Sequence, residues 1–182
     1  MSIEIEKKYR LTQEQRQFVS DALKEMGGEY VGEDFEENVI YGGEALTETG
    51  SILRIRKTQD RTILTFKKRI QNESDVKHQI EYETEVADAV NMEKIVEELG
   101  LTPRLIYEKR RETWKFRKVE IVLDELPFGS YMEIEGSITA IKEAEMLLDI
   151  DGFETEHETY PRLTARLGTQ NGSVIEARFA KV

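Results

Sequence analysis

Leu53-Arg54-Ile55-Arg56 decides the fold, because apolar and cationic side chains alternate there with a period of two, the period of a β-strand. Residues 50–59 therefore read as one strand, and residues 61–70 as the next, joined by a tight link at Gln59-Asp60. Working outward, strands are expected at 30–42 and 77–87, and then at 103–116, 118–126 and 130–136, the last two linked through Leu126-Pro127-Phe128-Gly129. At the N-terminus Ile3 and Ile5 alternate with Glu4, Glu6, Lys8 and Arg10, which predicts a first strand over 2–10.

Helices separate these strands. Thr12 and Gln15 form a capping-box pattern, and Phe18, Val19, Ala22, Leu23 and Met26 recur at helical spacing until Gly27-Gly28. Asp88 to Leu99 is a second helix, closed by Gly100 and striped by Met92, Ile95, Val96 and Leu99. A third is expected from Thr139 to Asp149, and a short one opens at Tyr160-Pro161 and ends at Gly168. The tail from Thr169, with Asn171-Gly172, is expected to be loosely held. The length of 182 residues suits one domain, residues 1–182.

Composition excludes several kinds of function. There is no cysteine and only two histidines, His78 and His157, so thiolate and imidazole metal sites are not expected and a metal would rest on carboxylates. A net charge of -11 disfavours binding to duplex nucleic acid or an anionic membrane surface. The N-terminus has no signal-peptide pattern and no apolar run is long enough to span a bilayer, so a cytoplasmic protein is expected, monomeric or homodimeric. Yet residues 53–69 carry a local charge of +6 and residues 104–118 one of +5, leaving about -22 on the other 150 residues. Such basic clusters in an acidic chain call for a negative ligand.

Parity sorts the charges further. One set of strand faces holds Glu4, Glu6, Lys8 and Arg10; Arg54 and Arg56; Lys67 and Arg69; Glu81, Glu83 and Glu85; Lys109 and Arg111; Asp124; and Glu133 and Glu135. The opposite faces hold Ile3, Ile5, Leu53, Ile55, Leu64, Phe66, Ile80, Tyr82, Val86, Ile121, Leu123, Met132 and Ile134. A solvated strand face mixes its charges, whereas here whole strands carry one sign, which suggests a lined cavity. The expected architecture is α+β: a closed eight-stranded antiparallel β-barrel, polar inside, with helices packed outside.

Glu4-Ile5-Glu6-Lys7-Lys8 has the Glu-x-Glu-x-Lys form that resembles the signature of the CYTH superfamily, the triphosphate tunnel metalloenzymes. Leu53-Arg54-Ile55-Arg56, Leu64-Thr65-Phe66-Lys67, Ile80-Glu81-Tyr82-Glu83, Glu108-Lys109-Arg110-Arg111, Val122-Leu123-Asp124 and Met132-Glu133-Ile134-Glu135 follow in the order in which that family places its tunnel strands. The resemblance covers nearly the whole chain.

A triphosphate needs several converging cations, and residues two apart on a strand stand about 7 Å apart on one face. Arg54, Arg56, Lys67, Lys109 and Arg111 are thus the candidate substrate-binding residues, with Lys8 a further active-site lysine by resemblance. Glu4, Glu6, Glu133 and Glu135 are the candidate ligands of Mg2+ or Mn2+. The resemblance assigns Glu81, Glu83 and Asp124 to a second metal or to orienting the attacking water. Arg10, Lys57, Lys68, Arg69 and Arg110 read as peripheral, Trp114, Tyr107 and Tyr131 as packing, and Arg162 and Arg166 as loose candidates on the last helix. The expected activity is hydrolysis of inorganic tripolyphosphate; a class IV adenylyl cyclase, a thiamine triphosphatase and a non-catalytic sensor of polyphosphate or nucleotide are the alternatives.

Overall fold

The computed structural model describes residues 5–70 and 78–180, and Glu4, Ile3 and the side chain of Arg69 lie outside what is described. In chain order the elements are β1 (Glu6–Leu11), α1 (Gln13–Glu25), β2 (Glu29–Gly42), α2 (Glu44–Thr49), β3 (Ser51–Lys57), β4 (Thr62–Ile70), β5 (His78–Val86) and α3 (Ala89–Glu98). Then follow β6 (Thr102–Phe116), β7 (Val119–Leu126), β8 (Gly129–Glu135), α4 (Ile138–Leu147), α5 (Tyr160–Leu167), β9 (Thr169–Asn171) and β10 (Val174–Ala177). Among the described residues no helix is long and apolar enough to cross a membrane.

The fold is α+β, and its strands are hydrogen-bonded in the order β1-β8-β7-β6-β2-β3-β4-β5, with β10 on β6 and β9 on β10. The barrel expected from the sequence does not close: β1 and β5 end the series and do not pair with each other among the described residues. The outer edge of β1 is already occupied. Arg10 donates its backbone N–H to Glu154 at 2.9 Å, Glu156 donates to Lys8 at 2.9 Å, and Tyr9 bridges Thr155. A strand edge satisfied in this way has no row of donors and acceptors to offer another strand.

The chain divides into two compact units. One comprises residues 5–35 and 109–159 of the described chain. Here β1, β8, β7 and the second half of β6 pair antiparallel, with Lys8 opposite Glu133 and Arg111 opposite Asp124. That register sends Tyr9, Leu11, Trp114, Ile121, Leu123, Met132 and Ile134 to the other face, where Val19 and Leu23 of α1 and Ala140, Ile141 and Ala144 of α4 cover them. Both helices begin as their sequences dictate. Thr12 accepts from the Gln15 N–H at 3.2 Å while Gln15 bonds back to the Thr12 N–H at 2.9 Å, and Ser137 accepts from Ala140 at 3.2 Å.

The other unit comprises residues 36–108 and 160–180 of the described chain. The second half of β2 pairs with β3, β3 with β4 and β4 with β5, all antiparallel. Val39, Tyr41 and Ile55 form the buried centre, closed by Val96 of α3, with Leu53, Leu64 and Met92 packed against it. The stripe foreseen on α3 is only partly used, since Ile95 and Leu99 are exposed.

The segment after Gly168 forms an ordered hairpin. Gly172-Ser173 is its turn, closed by Asn171 opposite Val174, and β10 runs parallel to β6 with Ile175 opposite Leu105 and Ala177 opposite Tyr107. Arg178 then bonds Glu37 at 2.6 Å, Glu108 at 2.9 Å and Glu176 at 3.2 Å. Burial pushes the Glu37 carboxyl up, but Arg178 and Lys57 outweigh it and hold the group below its ordinary range. A Cβ on Gly168 would meet the Thr164 carbonyl oxygen at 2.6 Å, Ile175 Cγ2 at 2.7 Å and the Glu176 carbonyl oxygen at 2.9 Å. Gly168→Ala should therefore lower stability by about 1–3 kcal/mol in urea unfolding, through displacement of the hairpin. An unchanged midpoint would show that the hairpin tolerates the shift.

Candidate functional site

Each unit carries one charged face. In the unit containing α1, alternation along β6, β7, β8 and β1 places Lys109 and Arg111, Asp124, Glu133 and Lys8 on the face away from the apolar core. Arg111 grips Asp124 with both ends of its fork, Nε to Oδ1 at 2.7 Å and Nη2 to Oδ2 at 2.6 Å, and Nη2 also reaches Glu133 Oε2 at 2.7 Å. Lys109 Nζ stands 3.6 Å from Asp124 Oδ1, and Lys8 Nζ stands 3.3 Å from Glu133 Oε1 while donating to the Glu158 carbonyl at 3.1 Å.

Burial sets the energetics of this cluster. Asp124 is fully buried, Lys109 is 2% exposed and Lys8 8%. Ions withdrawn from water to this degree persist only when paired in good geometry, and the bidentate fork supplies it. Arg111 and Glu133 keep more exposure, 20% and 12%, and so present the accessible margin of the cluster.

The remaining acids of this face lie in a row. Glu6 of β1 is opposite Glu135 of β8, which on its other side is opposite Glu120 of β7. Among the described residues no group of three acids converges tightly enough to enclose a metal ion. Magnesium does not require such a cage, because it takes one or two carboxylates and fills its octahedron with water and phosphate oxygens. The opposed Glu6 and Glu135, both exposed, fit that demand. Glu4 lies outside the described residues.

In the unit containing β3–β5 the register aligns Asn38 with Arg56, Arg54 with Thr65, Thr65 with Glu83 and Lys67 with Glu81. Arg56 Nε donates to Asn38 Oδ1 at 3.2 Å and stands 3.4 Å from Glu36 Oε2, while the Asn38 amide donates to Glu36 at 3.2 Å. Arg54 donates to Thr65 Oγ1 at 3.3 Å, Thr65 donates to Glu83 at 3.0 Å, and Lys67 pairs with Glu81 at 2.8 Å. Tyr107, 2% exposed, is buried beside the charges of Arg54 and Arg56. Burial pushes its hydroxyl up and the charges of Arg54 and Arg56 pull it back, leaving it raised. Arg54 Nε is buried with no hydrogen-bond partner among the described residues.

Sequence reasoning missed Glu36, Asn38 and Thr65, which are 3%, 0% and 0% exposed, and treated Tyr107 as packing. Parity held the signal: Glu36 and Asn38 are two apart on β2. Their run Asp34-Phe35-Glu36-Glu37-Asn38 shows no alternation, which hid them. Several residues read as peripheral do stand aside from both clusters. Lys57 pairs with Glu93 at 2.5 Å and Glu37 at 3.5 Å, and Arg110 makes an exposed pair with Glu125 at 3.3 Å. Arg10, Lys68 and His157 are exposed. Arg162 and Arg166 lie exposed on α5, whose buried side chains are Tyr160, Leu163 and Thr164. Trp114 and Tyr131 are buried, with Trp114 edge-on to Tyr30 at 5.0 Å between ring centres.

With this geometry described, comparison with known proteins fixes the lineage. The CYTH domain family model matches residues 2–160. The chain belongs to the CYTH family. A curated protein of Methanocaldococcus jannaschii, named "putative adenylate cyclase", is 28% identical over 151 residues, which is 81% of this chain and 84% of that one. Among solved structures, a Pyrococcus horikoshii protein superposes with a TM-score of 0.73 at 22% identity, over 88% of this chain and 98% of its own. A Hippeastrum protein, described as a "putative adenylyl cyclase" with a dominant triphosphatase activity, gives 0.70 at 21% identity, over 91% and 96%. At these identities the two structures establish the shared CYTH fold. The family match ends at residue 160, so α5 and the β9–β10 hairpin follow the matched region.

Proposed function

We propose that this CYTH protein hydrolyses a triphosphate, with inorganic tripolyphosphate as its substrate, in the presence of Mg2+ or Mn2+. The observation that carries the reading is the set of buried or half-buried cations, Lys8, Lys109 and Arg111 in one unit and Arg54, Arg56 and Lys67 in the other, all held on strand faces by neighbouring acids and polar groups. Phosphoryl transfer asks the protein chiefly for positioning and for charge that meets the phosphate oxygens, and these side chains supply both. The Hippeastrum relative's described triphosphatase activity supports the same reading.

The residues divide by what they offer. In the α1-containing unit Arg111 presents a planar donor fork to phosphoryl oxygens, held in place by Asp124, and in the other unit Arg54 presents one beside Thr65. Lys8 and Lys109 add positive charge beside Arg111, and Arg56 and Lys67 add it beside Arg54. Glu6 and Glu135 would hold the metal, which when bound neutralises phosphate charge and favours attack by water. Glu81 and Glu83, on the charged face of the other unit, are proposed to hold a second metal or to orient the attacking water. A soluble cytoplasmic enzyme acting on a small molecule is the corresponding setting.

Adenylyl cyclase activity is the second reading, favoured by the name of the Methanocaldococcus jannaschii relative. Cyclisation needs a pocket for adenine and a base for the ribose hydroxyl, and among the described residues neither charged face has an exposed aromatic ring suited to a purine: Tyr107 and Tyr131 are both buried. Assaying tripolyphosphate, ATP and thiamine triphosphate side by side with each metal separates these readings. Release of phosphate from tripolyphosphate with the highest kcat/KM is the expected result, and cyclic AMP as the main product would overturn it.

A further inference from the structure

The cations and acids of the α1-containing unit are already spent on one another, and this has a consequence for how ligands enter. Both oxygens of Glu133 face cations, Oε2 at 2.7 Å from Arg111 Nη2 and Oε1 at 3.3 Å from Lys8 Nζ. A metal ion approaching that carboxylate meets two positive charges beside it. An anion approaching Arg111 or Lys8 meets the negative charge of Glu133, with Asp124 behind it on the same guanidinium at 2.6 Å. On β1, β6, β7 and β8 five cations, Lys8, Arg10, Lys109, Arg111 and Lys115, share this face with five acids, Glu6, Glu120, Asp124, Glu133 and Glu135, so the face carries no net charge. A highly charged anion arriving alone finds little net attraction there.

We propose that anion and metal occupy this face as an obligate pair, each releasing the other's partner, so that neither binds tightly alone. The inference rests on the phosphate-binding reading above and adds how the two ligands depend on each other. When phosphate oxygens take over Arg111 and Lys8, Glu133 is freed; it lies two residues from Glu135 on β8, on the same face, and joins it toward the metal. When a metal draws Glu133 away, the two cations become available to phosphate. The coupling is reciprocal, because a single carboxylate changes sides in both events.

Titration of tripolyphosphate in excess chelator tests this directly. Glu133→Gln removes the competing charge and should bind metal-free tripolyphosphate on the order of tenfold more tightly than the unaltered chain, while losing most of the gain that Mg2+ confers. Glu133→Asp keeps the charge and should bind metal-free tripolyphosphate as weakly as the unaltered chain. Thermal unfolding followed by circular dichroism verifies that the variants fold. If Glu133→Gln does not, the unaltered chain decides: Mn2+ alone, followed by electron paramagnetic resonance, should bind only in the millimolar range, and adding tripolyphosphate should increase its retention beyond what the Mn2+–tripolyphosphate complex explains in solution. Equal or weaker metal-free binding by folded Glu133→Gln, or micromolar binding of Mn2+ alone, overturns the proposal. If no form binds tripolyphosphate under any condition, the triphosphatase reading falls with it, an outcome distinct from hydrolysis without coupling.

Discussion

Asp124→Ala is expected to lower the stability of the protein by about 3–5 kcal/mol, the largest effect of any single substitution on the charged faces. The physical reason is what it leaves behind. Lys109, 2% exposed, loses the carboxylate 3.6 Å from its ammonium, and Arg111 loses both acceptors of its fork. A buried ion deprived of a close counter-charge costs more than the intact pair contributes, because less of its desolvation is offset. Urea unfolding measures this as a shift of the midpoint at unchanged slope. Adding Lys109→Met to the variant should restore part of the loss, since methionine fills a similar volume without a charge, and the two substitutions should be clearly non-additive. A loss below about 1 kcal/mol for Asp124→Ala would place the pair in the class of solvent-screened surface ion pairs and remove the basis for the argument.

Arg111→Lys keeps the charge and should still reduce kcat/KM for tripolyphosphate on the order of a hundredfold. The guanidinium bonds Asp124 through two nitrogens and shares one of them with Glu133, a planar arrangement that an ammonium cannot reproduce. Lysine at this position would be drawn to one acid and release the other, so the donors proposed to meet the phosphate oxygens would no longer be aimed. The defect should appear in kcat as well as KM, since geometry lost in the transition state is not recovered by saturating substrate. Wild-type kcat/KM for Arg111→Lys would show that charge alone suffices there.

Much of this site was legible because a strand has an exact period. Counting by twos along β6, β7 and β8 put Lys109 and Arg111, Asp124, and Glu133 on one face, and the structure brings those four together. The start of α1 was equally plain, since Thr12 and Gln15 carry a local hydrogen-bond code that needs no tertiary context. What stayed hidden depended on distant segments or weak periods. Barrel closure was expected from sorted charge, but the edge of β1 is covered by residues 154–156, which carry no strand signal. The short helix α2 was missed because Glu44-Ala45-Leu46-Thr47-Glu48-Thr49 has one buried residue, Leu46, and so no stripe to recognise. Asn171-Gly172 was read as a marker of looseness, whereas Asn171 ends a strand and Gly172 opens the turn of a hairpin whose place is set by pairing with β6.

The pairing of β1 with β8 also bears on how the chain is made. Glu6 meets Glu135 and Leu11 meets Ser130, so the strand that carries Lys8 is synthesised well before the strand it pairs with. At ~5–20 residues per second, β1 waits roughly 6–25 seconds for β8 to appear. Until then Tyr9 and Leu11 have no sheet to lie on, and α1, which follows at once and forms from local contacts, is their nearest apolar surface. The speed of synthesis across that interval therefore sets how long Tyr9 and Leu11 go without their sheet.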